Sequence, residues 1–213
     1  MAESNNLSST EKRLGYYCSD DAAPVGGQPV RSLEGCSIIP AVNNIEALNI
    51  ALSSPPRAIF VLIGNPLTLP KITQRIHDAG KLCLANIDFL DGLSRDKFAA
   101  EFLAEHDVDG LVSTRADVLK AASALHMLSI QRTFAIDTAA VAATRKSLGQ
   151  FKPDAVEVLP AVAAPRTARR LRSEINGIKI IGGGLIESVK EIESLLDAGI
   201  DAVTTSDPRL WII

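Results

Sequence analysis

From Ser37 onward, short apolar runs alternate with longer helix-like stretches, and this alternation restricts the fold more than anything else in the 213-residue chain. Continuous apolar runs read as strands buried on both faces, and the stretches between them as helices covering a parallel sheet. The expected strands are 37–42 (SIIPAV), 58–64 (AIFVLIG), 81–87 (KLCLANI), 110–115 (GLVSTR), 127–134 (MLSIQRTF), 155–160 (AVEVLP), 179–183 (KIIGG) and 202–206 (AVTTS). Helices are expected near 44–53, 67–78, 95–105, 116–125, 138–149, 165–175 and 187–197.

Eight strands and seven helices, with seven residues after the last strand, define an α/β chain. They fit a TIM-barrel-like (β/α)8 fold with the last helix missing or replaced by a short C-terminal tail. An open doubly wound sheet of this size would be unusually wide. An internal echo supports units stacked in series. The strand starts VDGLVST, PDAVEVLP and IDAVTTS place Asp109, Asp154 and Asp201 at spacings of 45 and 47 residues. Each aspartate stands where a helix hands over to a strand, so a pair of βα units recurs; turn chemistry at a strand start favours the same residue type.

Residues 1–34 are rich in Ser, Asn, Asp, Gly and Pro and carry no sustained period. They read as a flexible or loosely docked extension, leaving 35–213 as a single barrel domain. No apolar run approaches the roughly 20 residues that span a bilayer, and residues 1–21 contain no signal-peptide core. Cys18, Cys36 and Cys83 are odd in number and form no C-x-x-C, which fits a reduced cytoplasmic setting rather than a disulfide framework or zinc site. A net charge of −3 gives no global pull towards nucleic acid.

In such barrels ligands bind at the C-terminal strand ends, with phosphate commonly held after strands 7 and 8. The stretch IKIIGGGLIES lies at that place. Gly182, Gly183 and Gly184 let backbone amides approach an anion, a helix starting near Glu187 adds its dipole, and Thr204, Thr205 and Ser206 supply hydroxyls. The alternative is a glycine-rich tight turn. GGGLIE lacks the spacing of a dinucleotide fingerprint. Glu157, inside AVEVLP, should point into the barrel and need a partner; Arg132 of the preceding strand is the nearest candidate. Asp88 follows strand 3, and Arg115 ends strand 4. Together these groups form either a structural ion-pair network or a polar cup for a small hydroxylated, phosphorylated ligand.

Catalytic groups are scarce. No lysine sits in the C-terminal half of a strand, where a Schiff base would need it. His77, His106 and His126 fall at helix ends on the far side from the mouth. No metal or cofactor site is expected, and no catalytic residue is assigned. The rival is a phosphosugar isomerase, epimerase or lyase with Glu157 or Asp88 as base; a metabolite-binding barrel without an RNA partner is a third reading. The helix PRTARRLRSEI gathers Arg166, Arg169 and Arg170 on one face, with Arg172 at its margin. Such a face is either simply solvated or a contact surface for nucleic-acid phosphates. Stacking aromatics are few, and the six phenylalanines fit core positions.

SIIPAV, DFLDGL, DGLVSTR, SIQRTF, KPDAVEVLPA, IIGGGLI and AVTTSDPRLW, in this order over about residues 36–211, resemble the glycerol-3-phosphate responsive antiterminator family. The resemblance implies a (β/α)8-like barrel without catalytic activity. It implies an effector, glycerol 3-phosphate, and an RNA partner, the leader of glycerol-utilisation transcripts, with transcription passing a terminator when the ligand is bound. A homo-oligomer is compatible with it. The resemblance sets Asp88, Arg132, Glu157, Gly183, Gly184, Thr204, Thr205 and Ser206 at motif positions around the mouth. One departure is Asn86, where family members often carry His; it bears on which polyol phosphate is held. The first 34 residues are extra to the usual family start.

Overall fold

The computed structural model describes residues 32–173 and 175–212. The expected extension falls mostly outside them. Barrel packing begins by Leu33, which is buried with Cys36 against the interior strand residues. In chain order the elements are β1 (Ile38–Val42), α1 (Ile45–Ser53), β2 (Ala58–Val61), α2 (Leu69–Asp78), β3 (Leu82–Asn86), α3 (Lys97–Glu105), β4 (Gly110–Ser113) and α4 (Ala116–Ala124). Then follow β5 (Leu128–Phe134), α5 (Thr138–Leu148), β6 (Ala155–Leu159), α6 (Ala164–Arg172), β7 (Lys179–Gly183), α7 (Val189–Asp197) and β8 (Ala202–Thr205). All strands are parallel, in sequence order, and β8 pairs with β1 to close a barrel.

Several helices start where the sequence supplies a side-chain cap. Asn44 accepts from Ala47 N–H at the start of α1, Asp96 from Ala99 N–H at α3, and Asp137 from Ala140 N–H at α5. Each satisfies an amide that the first turn leaves open. Strands outlast or undershoot their expected ends for local reasons. β2 stops at Val61 rather than 64, because Gly64 turns the chain at φ +115°. α6 stops at Arg172 rather than 175; the Ser173 hydroxyl donates to Arg170 O there, and Gly177 at φ +71° leads into β7.

Two apolar layers follow from strand alternation. Ile39, Phe60, Leu84, Ile130 and Ile181 fill the barrel interior. Their neighbours Ile59, Cys83, Val156, Ile180 and Val203 face outward and pack with helix residues such as Leu48, Ile76, Leu103 and Leu171. The repeated aspartates explain themselves as one device used three times. Asp109, Asp154 and Asp201 accept from the Cys83, Ser129 and Ile180 N–H groups at 2.8, 2.8 and 2.6 Å. Each aspartate's own N–H donates back to the carbonyl of the same residue. The pairs thus lock the starts of β3 to β4, β5 to β6 and β7 to β8, at the end away from the mouth. After β8 comes a single 3-10 turn, Pro208–Leu210, that packs on α1 and buries Trp211 completely.

Burial pushes the Cys83 thiol up from 9.0 to about 12; the Thr73 hydroxyl opposes this and the Asp109 charge adds to it. A thiol that keeps its proton longer when folded stabilises fully below pH 9. That contribution is lost as pH rises towards 12, by about 1.4 kcal/mol per pH unit. Urea unfolding of wild type and Cys83→Ala between pH 8 and 10.5 should therefore show the wild type falling more steeply above pH 9.

Candidate functional site

Two residues beyond the apolar plug, the interior turns polar. Leu84 is followed by Asn86, Ile130 by Arg132, Ala155 by Glu157, Ile181 by Gly183 and Ala202 by Thr204, all at the period that keeps side chains on one face. Register brings them level: Arg132 pairs with Glu157 and Gly183 with Thr204. Arg132 Nε donates to Glu157 Oε2 at 2.6 Å, and the Thr204 hydroxyl donates to Glu157 Oε1 at 2.8 Å. Glu157 is 1% exposed and Arg132 7%. Pairing and hydrogen bonding at both carboxylate oxygens are what such burial of charge requires.

Arg132 engages Glu157 through Nε, and none of the described residues accepts from its terminal nitrogens. The Phe89 ring lies 5.4 Å from the guanidinium carbon and is half exposed, so it shields one face of the cation. Gly183 is required by close approach. A Cβ there would stand against the Thr204 hydroxyl and 2.9 Å from Glu157 Oε1, inside the network. Gly184 has φ +76° and Leu185 +59°, so the chain leaves β7 in a left-handed turn. Among the described residues none accepts from the Gly184, Leu185 or Ile186 amides.

Gly183→Ala should cost about 1–3 kcal/mol, as overpacking does. It should also weaken any mouth ligand about tenfold or more, because the Thr204–Glu157 bond must open to admit the methyl. Thermal melts with and without ligand check both effects.

Other residues singled out by sequence take different places. Asp88 lies at the mouth, but its carboxylate turns to the end of β4, accepting from Ser113 Oγ, Thr114 N–H and Thr114 Oγ1 at 3.0, 2.8 and 3.0 Å. Alternation sends Thr205 to the face opposite Thr204; its hydroxyl accepts from Asp207 N–H, and its carbonyl from Trp211 Nε1. Ser206 is exposed at the rim. α7 begins at Val189, and Ser188 with Glu191 closes a capping box over its first turn. Hydrogen bonds from the Glu187 amide, then from the Ser188 side chain, hold the Glu191 carboxyl below its usual range. A carboxylate thus already occupies the helix end expected to face an anion.

Arg166, Arg169 and Arg170 are exposed on α6. Arg172, expected at the margin of that face, is drawn into the fold instead. Its guanidinium donates to Asp201 Oδ2 at 2.5 Å and Gly199 O at 2.6 Å, joining the aspartate lock at the base of β8. Phe89, Phe98 and Phe134 are exposed at half or more, against the expectation that all phenylalanines are core. Asn86, which the resemblance raised as bearing on the ligand but without a place among the site residues, stands in the polar layer with no exposure. The two-residue step from Leu84 was the signal that could have found it. His77, His106 and His126 lie at the C-terminal ends of α2, α3 and α4, away from the mouth.

A closed parallel barrel with an apolar floor and a charged, hydrogen-bonded mouth defines the class: a TIM-type (β/α)8 barrel. Solved barrels of low similarity share that architecture, among them QR15, an aldolase, with a TM-score of 0.61 at 14% identity over 83% of this chain and 91% of that one. Within the class, the chain belongs to the glycerol-3-phosphate responsive antiterminator family, whose pattern it matches over residues 38–211. It is similar to the glycerol uptake operon antiterminator regulatory protein of Listeria monocytogenes, with 31% identity and a TM-score of 0.77 over 82% of this chain and 94% of that one. An antiterminator-related protein of Thermotoga maritima gives 27% and 0.75 over 83% and 98%. The uncharacterized protein YgcP of Escherichia coli is 31% identical over 177 residues, 83% of this chain and 92% of YgcP. The family is regulatory. Among the described residues no helix is long and apolar enough to cross a membrane.

Proposed function

We propose that the chain is an RNA-binding transcription antiterminator that binds glycerol 3-phosphate at the barrel mouth and performs no catalysis. The observation that carries the reading is the balance of hydrogen-bonding groups there. Among the described residues the terminal nitrogens of Arg132 and the Gly184–Ile186 amides are uncommitted donors, while both carboxylates already accept. Donors without acceptors suit an anion. The phosphate would sit between Arg132 and the β7–α7 loop, with the Ser206 hydroxyl at its edge. The same balance disfavours the isomerase or lyase reading. A general base needs a free carboxylate aimed at substrate, and Glu157 and Asp88 are held by Arg132, Thr204, Ser113 and Thr114.

The RNA partner is the leader of a glycerol-utilisation transcript, met by Arg166, Arg169 and Arg170. Arg172 is engaged in the fold and contributes little to that surface. Calorimetry with glycerol 3-phosphate tests the first half; absence of heat at millimolar ligand overturns it. A gel shift on the leader RNA tests the second, and charge removal at the three arginines should weaken binding and flatten its salt dependence. Linkage requires that ligand and RNA tighten each other by the same factor. Turnover of triose or pentose phosphates would overturn the non-enzymatic reading.

A further inference from the structure

Asn86 carries a buried polar atom that none of the described residues satisfies. Its Nδ2 meets no acceptor, and the residue is 0% exposed. The orientation of the amide is set by chemistry. The Asp88 N–H donates to Oδ1 at 3.1 Å, and a flipped amide would face one donor with another. Leaving such a group bare costs a fold roughly 1–3 kcal/mol, so a lone example inside a mouth points to an external acceptor. Alternation from Leu84 turns the side chain into the interior, at the level of Arg132, Glu157 and Thr204. In an eight-stranded ring closed in sequence order, β3 stands across from β7. Gly183 projects no side chain into the space between them.

We infer that Asn86 is a specificity-determining residue: its Nδ2–H donates to an oxygen at the end of the ligand remote from the phosphate. The inference rests on the ligand reading above and deepens it. The cation and the open amides lie on the β5 and β7 sides, where an anion is best held. A neutral amide across the barrel is suited to an uncharged oxygen. A hydroxyl placed there accepts from Asn86 and keeps a proton to donate. Asn86 thereby reads hydroxyls, while Arg132 and the β7–α7 loop read charge.

The test is calorimetric titration of the full chain and Asn86→Ala with two probes, glycerol 3-phosphate and methyl phosphate, which has no hydroxyl-bearing carbon. Wild type should bind glycerol 3-phosphate the more tightly. Asn86→Ala should weaken glycerol 3-phosphate about tenfold or more and leave methyl phosphate unchanged, which also certifies a folded mouth. Equal weakening of both probes overturns the assignment, because the amide would then serve the phosphate or the fold. Unchanged affinity for both overturns it as well. A wild type that binds neither probe removes the ligand reading itself, and the role of Asn86 with it. If Asn86→Ala fails to fold, Asn86→Ser, a smaller polar residue, is titrated in its place against the same outcomes.

Discussion

Arg132→Ala is expected to destabilise the fold by about 3–5 kcal/mol, the range for breaking a buried ion pair. The cost comes less from the lost attraction than from what stays behind. Glu157, 1% exposed, would keep a charge with only the Thr204 hydroxyl to answer it. Removing both charges together should behave differently. Arg132→Met with Glu157→Leu replaces the pair by apolar groups of similar bulk, and such swaps are near neutral or stabilising. Denaturant melts compare the two variants, and the double variant is expected to be the more stable protein. Ligand binding separates the two roles of the pair. Both variants should lose glycerol 3-phosphate affinity, because both lack the terminal nitrogens offered to phosphate. A double variant that is stable and still binds ligand would show that Arg132 serves the fold alone.

That separation bears on why this chain places charge at the one level where the barrel could have been filled by leucine. Below it, Leu84, Ile130, Ala155, Ile181 and Ala202 form an ordinary plug. A plug continued upward would have been simpler and at least as stable. Local violations of good packing of this kind are the usual mark of a site, which is why the proposed function is placed at this layer.

The same residues show how far sequence reading reaches. The barrel was legible because the strands are largely apolar on both faces and several helices open on capping residues, signals local to the chain. The aspartate echo was legible for the same reason, although its cause, a carboxylate gripping the preceding strand's second amide, needed the register. The direction of Glu157 and its partner followed from alternation and from neighbouring strands being consecutive. What escaped depended on loops. Asp88 was expected to face the ligand, yet the turn after β3 aims it at Ser113 and Thr114. Three consecutive hydroxyls at the end of β8 looked like one cup, but the two-residue period divides Thr204 from Thr205. Asn86 was weighed by resemblance alone, and its orphan nitrogen is visible only when every neighbour is placed.

The tail was legible only as the place where an eighth helix is wanting, and Trp211 shows what fills the gap. It is the largest fully buried side chain, packed in the layer between sheet and helices, and its turn lies against α1. In a closed barrel every strand needs cover on its outer face, since bare apolar surface on β8 and β1 would meet water. Trp211→Ala should therefore cost about 3–5 kcal/mol, as aromatic truncation in a core does. For a chain of this size that corresponds to a fall in melting temperature of roughly 10 °C. Trp211→Phe keeps most of the cover and loses only the indole N–H bond to Thr205 O, 2.9 Å in the native fold; its cost should be nearer 1 kcal/mol. That carbonyl belongs to the residue beside Thr204. Loosening it frees the end of β8 from which the Thr204 hydroxyl reaches Glu157. Trp211→Phe should thus reduce ligand affinity more than its small effect on melting would indicate. Calorimetry on Trp211→Phe at a temperature where it is fully folded decides the point: unchanged affinity would make the indole a cover for the sheet and nothing more.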